Sequence, residues 1–138
     1  MPLQRWTKPV VEVGIVSHTL AAGANKLGPE HDGRLKRWAA FELQWNPDAT
    51  AAAGETIELY LLYALDGTNY EDGDETPDDP KKTKEGVFTD DGSDALQRQV
   101  LQTKVELLPF KYKPLLKSEL GDQALTVVLS IYTFSEIK

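Results

Sequence analysis

Three stretches of this chain alternate with a period of two, the pattern of strands that bury one face. In VVEVGIVSHTL, Val11, Val13 and Ile15 fall on one side with Glu12 and Gly14 opposite. In RWAAFELQW, Ala39, Phe41, Leu43 and Trp45 alternate with Ala40, Glu42 and Gln44. In TIELYLLYAL, Ile57, Leu59, Leu61 and Tyr63 form one row and Thr56, Glu58, Tyr60 and Leu62 the other. Near the C-terminus ALTVVLSIYTFSEI is long, β-branched and aromatic, without a helix cap, and reads as a strand.

Two further segments take more argument. KYKPLLKSELGDQ precedes the last strand and supplies an apolar arm and a GDQ turn, so the pair reads as a hairpin. Pro114 cannot donate a ladder hydrogen bond, which puts that arm at a sheet edge or at a bulge. ALQRQVLQTKVELL fits a helix stripe through Leu96, Val100, Leu101, Lys104 and Leu108, or a strand face through Leu101, Thr103, Val105 and Leu107. Helix propensities of Gln and Lys differ by only tenths of a kcal/mol, so strand is chosen, ending at LPF where it can pair with the KYKPLLKS arm after it.

Between these segments lie SHTLAAGANKLGPEHDGR, NPDATAAAGE and the acidic LDGTNYEDGDETPDDP. Six or more strands with long, irregular connections predict one all-β domain over residues 1–138, a jelly-roll-like β-sandwich. Residues 1–9, with Pro2 and Pro9 around Trp6, read as an extended arm, and residues 66–94 as a long acidic loop region. No second domain boundary and no internal repeat is visible.

The net charge is −7, and its distribution sharpens the picture. Residues 66–94 hold eleven acids and three bases, and the rest of the chain eleven acids and twelve bases. A phosphate backbone would be repelled by that segment, which excludes nucleic acid as the expected partner. No cysteine is present, so no disulfide, thiolate zinc site or thiol nucleophile is available. No apolar run reaches the ~18 to 20 residues that span a bilayer, and the first residues lack a signal-peptide core, so a soluble protein made in the cytoplasm is expected, with no membrane partner.

Candidate chemistry is sparse. An EF-hand starting at Asp72 would need Gly where Pro77 stands and an acid where Thr83 stands, and one starting at Asp66 ends on Pro77. Asp66, Asn69, Asp72 and Asp74 could still offer oxygen ligands on a turn, against the plainer reading of a solvated loop. Carboxylate catalysis needs a water-excluding cleft, and these acids sit among almost no apolar residues. His18 falls on a strand face and His31 in a polar surface loop, and no GxSxG, P-loop or GxGxxG motif occurs. No catalytic, cofactor or metal residue is therefore assigned, and a non-enzyme is expected.

The aromatics leave a second possibility. Trp6, Trp38, Trp45, Tyr60, Tyr63, Tyr70, Tyr112 and Tyr132 could stack sugars, as in carbohydrate-binding β-sandwiches, although Trp45 and Phe41 share a core row. Arg5, Trp6 and Lys8 combine a tryptophan with basic neighbours, an interface composition, and form a candidate contact arm. Asp72, Asp74, Glu75, Asp78 and Asp79 form a candidate acidic surface loop.

LYLLYALDGTNYEDG resembles small virion structural proteins of tailed bacteriophages, in which an LYLL-type strand runs into a DGTNY turn. LPFKYKPLLKSELGDQAL before the closing strand resembles the ending of the same proteins, and the two matches cover residues 57–134. The resemblance implies a capsid cement or decoration protein on the outside of a phage head, bound to the major capsid protein and present as a homodimer or trimer. A tail or head-completion component is its neighbouring reading. ETPDDPKKTKE is an insertion relative to that pattern. Under this reading the arm docks onto a neighbour, and a sheet edge near Pro114 is available for pairing with a symmetry mate.

Overall fold

Ala39, Phe41, Leu43 and Trp45, the apolar row of the Trp38 segment, point into the core and are at most 1% exposed. The computed structural model describes residues 7–21, 23–34, 36–46, 54–73, 79–92, 96–101, 104–119 and 125–135. Its strands are β1 (Val10–Leu20), β2 (Asn25–Leu27), β3 (His31–Asp32), β4 (Trp38–Asn46), β5 (Thr56–Ala64), β6 (Gly86–Thr89), β7 (Gln97–Val100), β8 (Val105–Glu106), β9 (Lys111–Ser118) and β10 (Leu125–Phe134).

The first sheet has the order β1-β10-β4-β7, with β8 also paired to β4. The second has the order β2-β9-β5-β6, with β3 also paired to β9. With β2/β3 and β7/β8 taken as interrupted strands, every connection except β5–β6 crosses from one sheet to the other. That connectivity is the jelly roll, two Greek keys wrapped around one core. The core is built from the inner rows of both sheets: Phe41, Leu43, Trp45, Leu129 and Ile131 from one, Leu59, Leu61, Tyr63, Tyr112 and Leu116 from the other.

Four expectations are corrected by this topology. β9 and β10 are not a hairpin: β9 pairs with β5 and β10 with β4, and they lie in different sheets. Each arm finds a full-length partner elsewhere, and turn chemistry in GDQ, which lies outside the described residues, speaks only to chain reversal. β9 is also an interior strand, so its edge is not free to pair with another chain. The segment ending at LPF is a strand as expected, in two pieces, but both pair with β4 and not with β9.

The fourth correction concerns β1. Val13 pairs with Ser130 and Ile15 with Leu129, so Gly14 is an extra residue, and a second irregularity follows before His18. A bulge reverses the inward and outward phase of a strand. Ile15 is therefore buried while Val11 and Val13 face outward, and Glu12 turns inward.

Candidate interaction surface

The outer face of the second sheet is covered by the chain's own acidic segment. Tyr60 and Leu62 on β5 and Leu115 on β9 point away from the main core, yet they form a second buried cluster with Leu27. A side chain at Gly73 would meet Leu62 and Pro80, which places both ends of the described excursion over this cluster. The anchors are the lysines of β9's outer face. Lys117 Nζ donates to Asp79 Oδ2 at 3.0 Å and Asn25 Nδ2 donates to Asp79 Oδ1 at 3.0 Å, together lowering the pKa of Asp79. Lys111 pairs with Glu30, which accepts from the Tyr70 hydroxyl, and Lys113 lies over the Tyr70 ring.

The segment begins as a tight turn. Asp66 accepts the Thr68 and Asn69 N–H groups at 2.8 and 2.7 Å, which with the Asn69 amide hold its carboxyl down at about 2. Of the candidate loop acids, Asp72 pairs with Lys81 on the surface and Asp79 with Lys117, whereas Asp74, Glu75 and Asp78 lie outside the described residues. Among the described residues no group of acids and histidines is arranged to hold a metal ion. Asn25 and Lys117 were invisible as partners in the sequence because they lie far from Asp79 along the chain.

Side chains also close the sheet edges. The free half of β5 beyond β6 is occupied by Glu71, whose N–H donates to the Tyr63 carbonyl and whose Oε1 accepts the Tyr63 N–H, and by Lys82, which donates to the Leu61 carbonyl. On β6, Gln99 accepts the Thr89 N–H at 2.8 Å and donates to the Thr89 carbonyl at 3.1 Å, standing in for a neighbouring strand. Gln97 does the same for the next turn, donating to Asp90 and accepting from the Asp91 N–H. The remaining edges among the described residues are short or bulged, the devices that block edge-to-edge pairing.

Among the described residues, the outer face of the first sheet keeps apolar side chains exposed. On the outer side of the first sheet, Val11, Tyr132 and Ala40 form one cross-strand row and Val13, Ser130, Glu42 and Val100 the next. Val11, Val13 and Val16 are 59, 53 and 70% exposed. At the end of this face Trp38 lies beside Phe134, with Lys104 Nζ 4.6 Å and the Arg37 guanidinium 5.1 Å from its ring. Glu42 is paired with Arg98 at 3.7 Å. Exposed apolar side chains gathered on one face and rimmed by polar groups are a feature of contact surfaces. The sequence contained the valines, but simple alternation assigned Val11 and Val13 to the core.

The candidate arm meets this face at its edge. The Thr7 N–H donates to the Ser135 carbonyl at 2.8 Å, and Lys8 is exposed just before β1. Arg5 and Trp6 lie outside the described residues.

His31 departs from its expected surface position and is only 8% exposed. The GPEHDGR stretch is pinned against β9 by β3, and Gly33 presses on the Leu108 and Phe110 carbonyls where a Cβ would not fit. His31 Nδ1 lies 3.1 Å from Glu12 Oε1, joining the two sheets, and its ring stacks on Tyr112 at 5.5 Å. Burial, with Glu12 adding to it, pushes the Tyr112 hydroxyl upward, and burial raises Tyr63 to about 12. His31, Tyr63 and Tyr112 are buried, whereas the Glu12 side chain keeps 32% of its surface exposed. His18 lies on β1 opposite Val127. Of the expected sugar-stacking aromatics, Trp45, Tyr60, Tyr63 and Tyr112 are buried, and Trp38, Tyr70 and Tyr132 keep partial exposure.

No protein-family model matches the chain, and no curated relative matches it. Among solved structures, dimeric latent PorU from Porphyromonas gingivalis matches 97% of this chain at a TM-score of 0.54 and 10% identity. This chain spans 13% of that PorU chain. A chain of Desmodium yellow mottle tymovirus matches along 100% of this chain and 94% of its own, at 13% identity and a TM-score of 0.30, too distant to carry an argument. The PorU likeness is one of fold alone: an all-β sandwich.

Proposed function

We propose that this chain is a non-enzymatic structural protein of a tailed-phage particle that binds the outside of the capsid and stabilises it. The observation that carries the reading is the asymmetry of the sandwich among the described residues: the apolar residues on the outer face of one sheet are buried beside the chain's own loop, and the other sheet exposes Val11, Val13 and Val16. A cement protein needs such a face more than it needs a pocket. Weak contacts made by many copies, or by one copy bridging two subunits, add up through effective concentration. The sequence resemblance at LYLLYALDGTNYEDG points the same way, and repeated copies on a symmetric shell favour a homodimer or trimer.

The test adds the purified chain back to heads assembled without it. Saturable binding and a higher rupture temperature are expected, and heads that neither bind it nor gain robustness would refute the role. Saturable quenching of tryptophan fluorescence by a glycan would instead favour the carbohydrate-binding reading. Copy number per particle separates shell from neck or tail.

A further inference from the structure

Independently of that reading, we infer that Glu71 and Lys82 form a latch over an edge of β5 that, once uncovered, pairs with the same edge of a second copy of this chain. β6 accompanies β5 only from Thr56 to Leu59, so among the described residues the stretch from Tyr60 to Ala64 has β9 on one side and no strand on the other. In an antiparallel ladder the N–H and C=O of one residue point to the same side, and successive residues alternate. The Leu59 carbonyl, which accepts the Glu85 N–H at 2.7 Å, marks the odd-numbered residues as those facing this edge. Leu61 and Tyr63 therefore turn their backbone groups outward, while their side chains lie in the core at 0 and 4% exposure.

The latch engages those groups with parts of only two residues. Glu71 donates its N–H to the Tyr63 carbonyl at 3.1 Å and accepts the Tyr63 N–H on Oε1 at 3.0 Å. The same Oε1 accepts from Lys82 Nζ at 2.7 Å, and that ammonium also donates to the Leu61 carbonyl at 2.7 Å while lying 5.1 Å from the centre of the Tyr63 ring. One ion pair thus locks the cover in place, and its two charges face any strand that approaches, a device that blocks edge-to-edge pairing. Beneath the latch the edge is self-complementary. A two-fold axis at Leu62 sets Leu61 of one copy against Tyr63 of the other, and each such pair can exchange both of its N–H···O bonds. Main-chain groups alone supply these bonds, as in strand addition, so no matched side chain is required and a second copy suffices as the occupant.

The test compares wild type with the double variant Glu71→Pro and Lys82→Met, which removes the N–H, the carboxylate and the ammonium together and keeps an unbranched stem at residue 82. Circular dichroism first shows the variant folded. In dilute solution its Tyr63 amide is expected to exchange about tenfold faster or more than in wild type, with the β4–β10 ladder unchanged. As concentration rises, sedimentation equilibrium should show the variant associating about tenfold more tightly than wild type or better, and the Tyr63 amide should regain protection in the associated form. A Tyr63 amide that exchanges as in wild type at low concentration would overturn the latch. One that is fast at every concentration, with or without association, would overturn the second copy as its occupant. If the double variant fails to fold, Glu71→Ala breaks the ion pair and uncovers the Tyr63 N–H with the backbone intact, and the same two measurements decide on the same outcomes. Neither measurement involves phage heads, so the capsid role and the latch stand or fall separately.

Discussion

The carbonyl of Pro114 accepts the N–H of Gly28 at 2.7 Å, across the gap between β2 and β3. In an antiparallel ladder a residue's N–H and C=O point to the same neighbour. The donor that proline lacks is therefore missing where the neighbouring strand is itself interrupted, which is how an interior strand tolerates it. The junction is tight: a Cβ at Gly28 would sit on the Gly14 carbonyl oxygen and 2.7 Å from Pro114 Cγ. Gly28→Ala is expected to lower stability by about 1–3 kcal/mol, the usual cost of overpacking. The urea midpoint measures it, and an unchanged midpoint would show that the two strands are not held this closely.

Leu62 and Val13 both stand on outer sheet faces, and they should respond oppositely to the same substitution. Leu62 is 1% exposed beneath the acidic excursion, so Leu62→Ala should cost about 2–4 kcal/mol and Leu62→Asp should unfold the domain. Val13→Asp should change stability by no more than about 0.5 kcal/mol, as exposed substitutions do. Equal urea midpoints for Leu62→Asp and Val13→Asp would contradict the contrast between a covered face and a bare one.

How far the sequence could be read depended on whether period or pairing decided the matter. The rows of β4 and β5 were legible because alternation alone buries Phe41, Leu43, Leu59 and Leu61. The β-sandwich class was legible from long connections between alternating segments. Strand partners were not: nothing local in KYKPLLKS states that it joins β5 and not β10. The exposure of Val11 and Val13 was hidden by one residue, since Gly14 shifts the phase that period-two reading holds constant. His31 looked exposed because its neighbours are polar, and only the pairing of β3 with β9 brings it under Glu12. Charge counting separated an acidic segment from a neutral remainder, yet folding lays that segment over the lysines of β9.

Gln99 holds both backbone groups of Thr89 with its amide. Gln99→Ala should cost about 1–2 kcal/mol and leave the edge of β6 open to water. Hydrogen exchange is the sharper measurement, because the Thr89 amide should exchange faster while amides of the β4–β10 ladder keep their protection. Unchanged protection at Thr89 would mean that some other group covers that edge.

Acid should loosen two turns. Backbone and side-chain donors hold Asp66 at about 2, and the Arg34 guanidinium and N–H hold Asp32 at about 2, both below the ordinary aspartate value of 3.8. A depressed carboxylate contributes stability that is complete above its unfolded value and drains as pH falls through its folded value. Loss is therefore expected between about pH 4 and pH 2. Asp66→Asn keeps an acceptor for Thr68 but cannot titrate, so its melting temperature should fall less steeply than wild type over that interval. Parallel curves would exclude Asp66 from the acid transition.

The bulge at Gly14 joins two stretches of β1 of opposite phase at one codon. Losing that codon would simply close the ladder, with Val13 still opposite Ser130 and Ile15 still opposite Leu129. Losing the codon for Glu12 would instead turn Val11 inward, into the place of the carboxylate beside His31, and bring Val10 into Val11's place on the exposed face. Two deletions of equal size, two positions apart, would thus both keep valines along the outer row, and only the second would erase the contact between Glu12 and His31 that ties one sheet to the other.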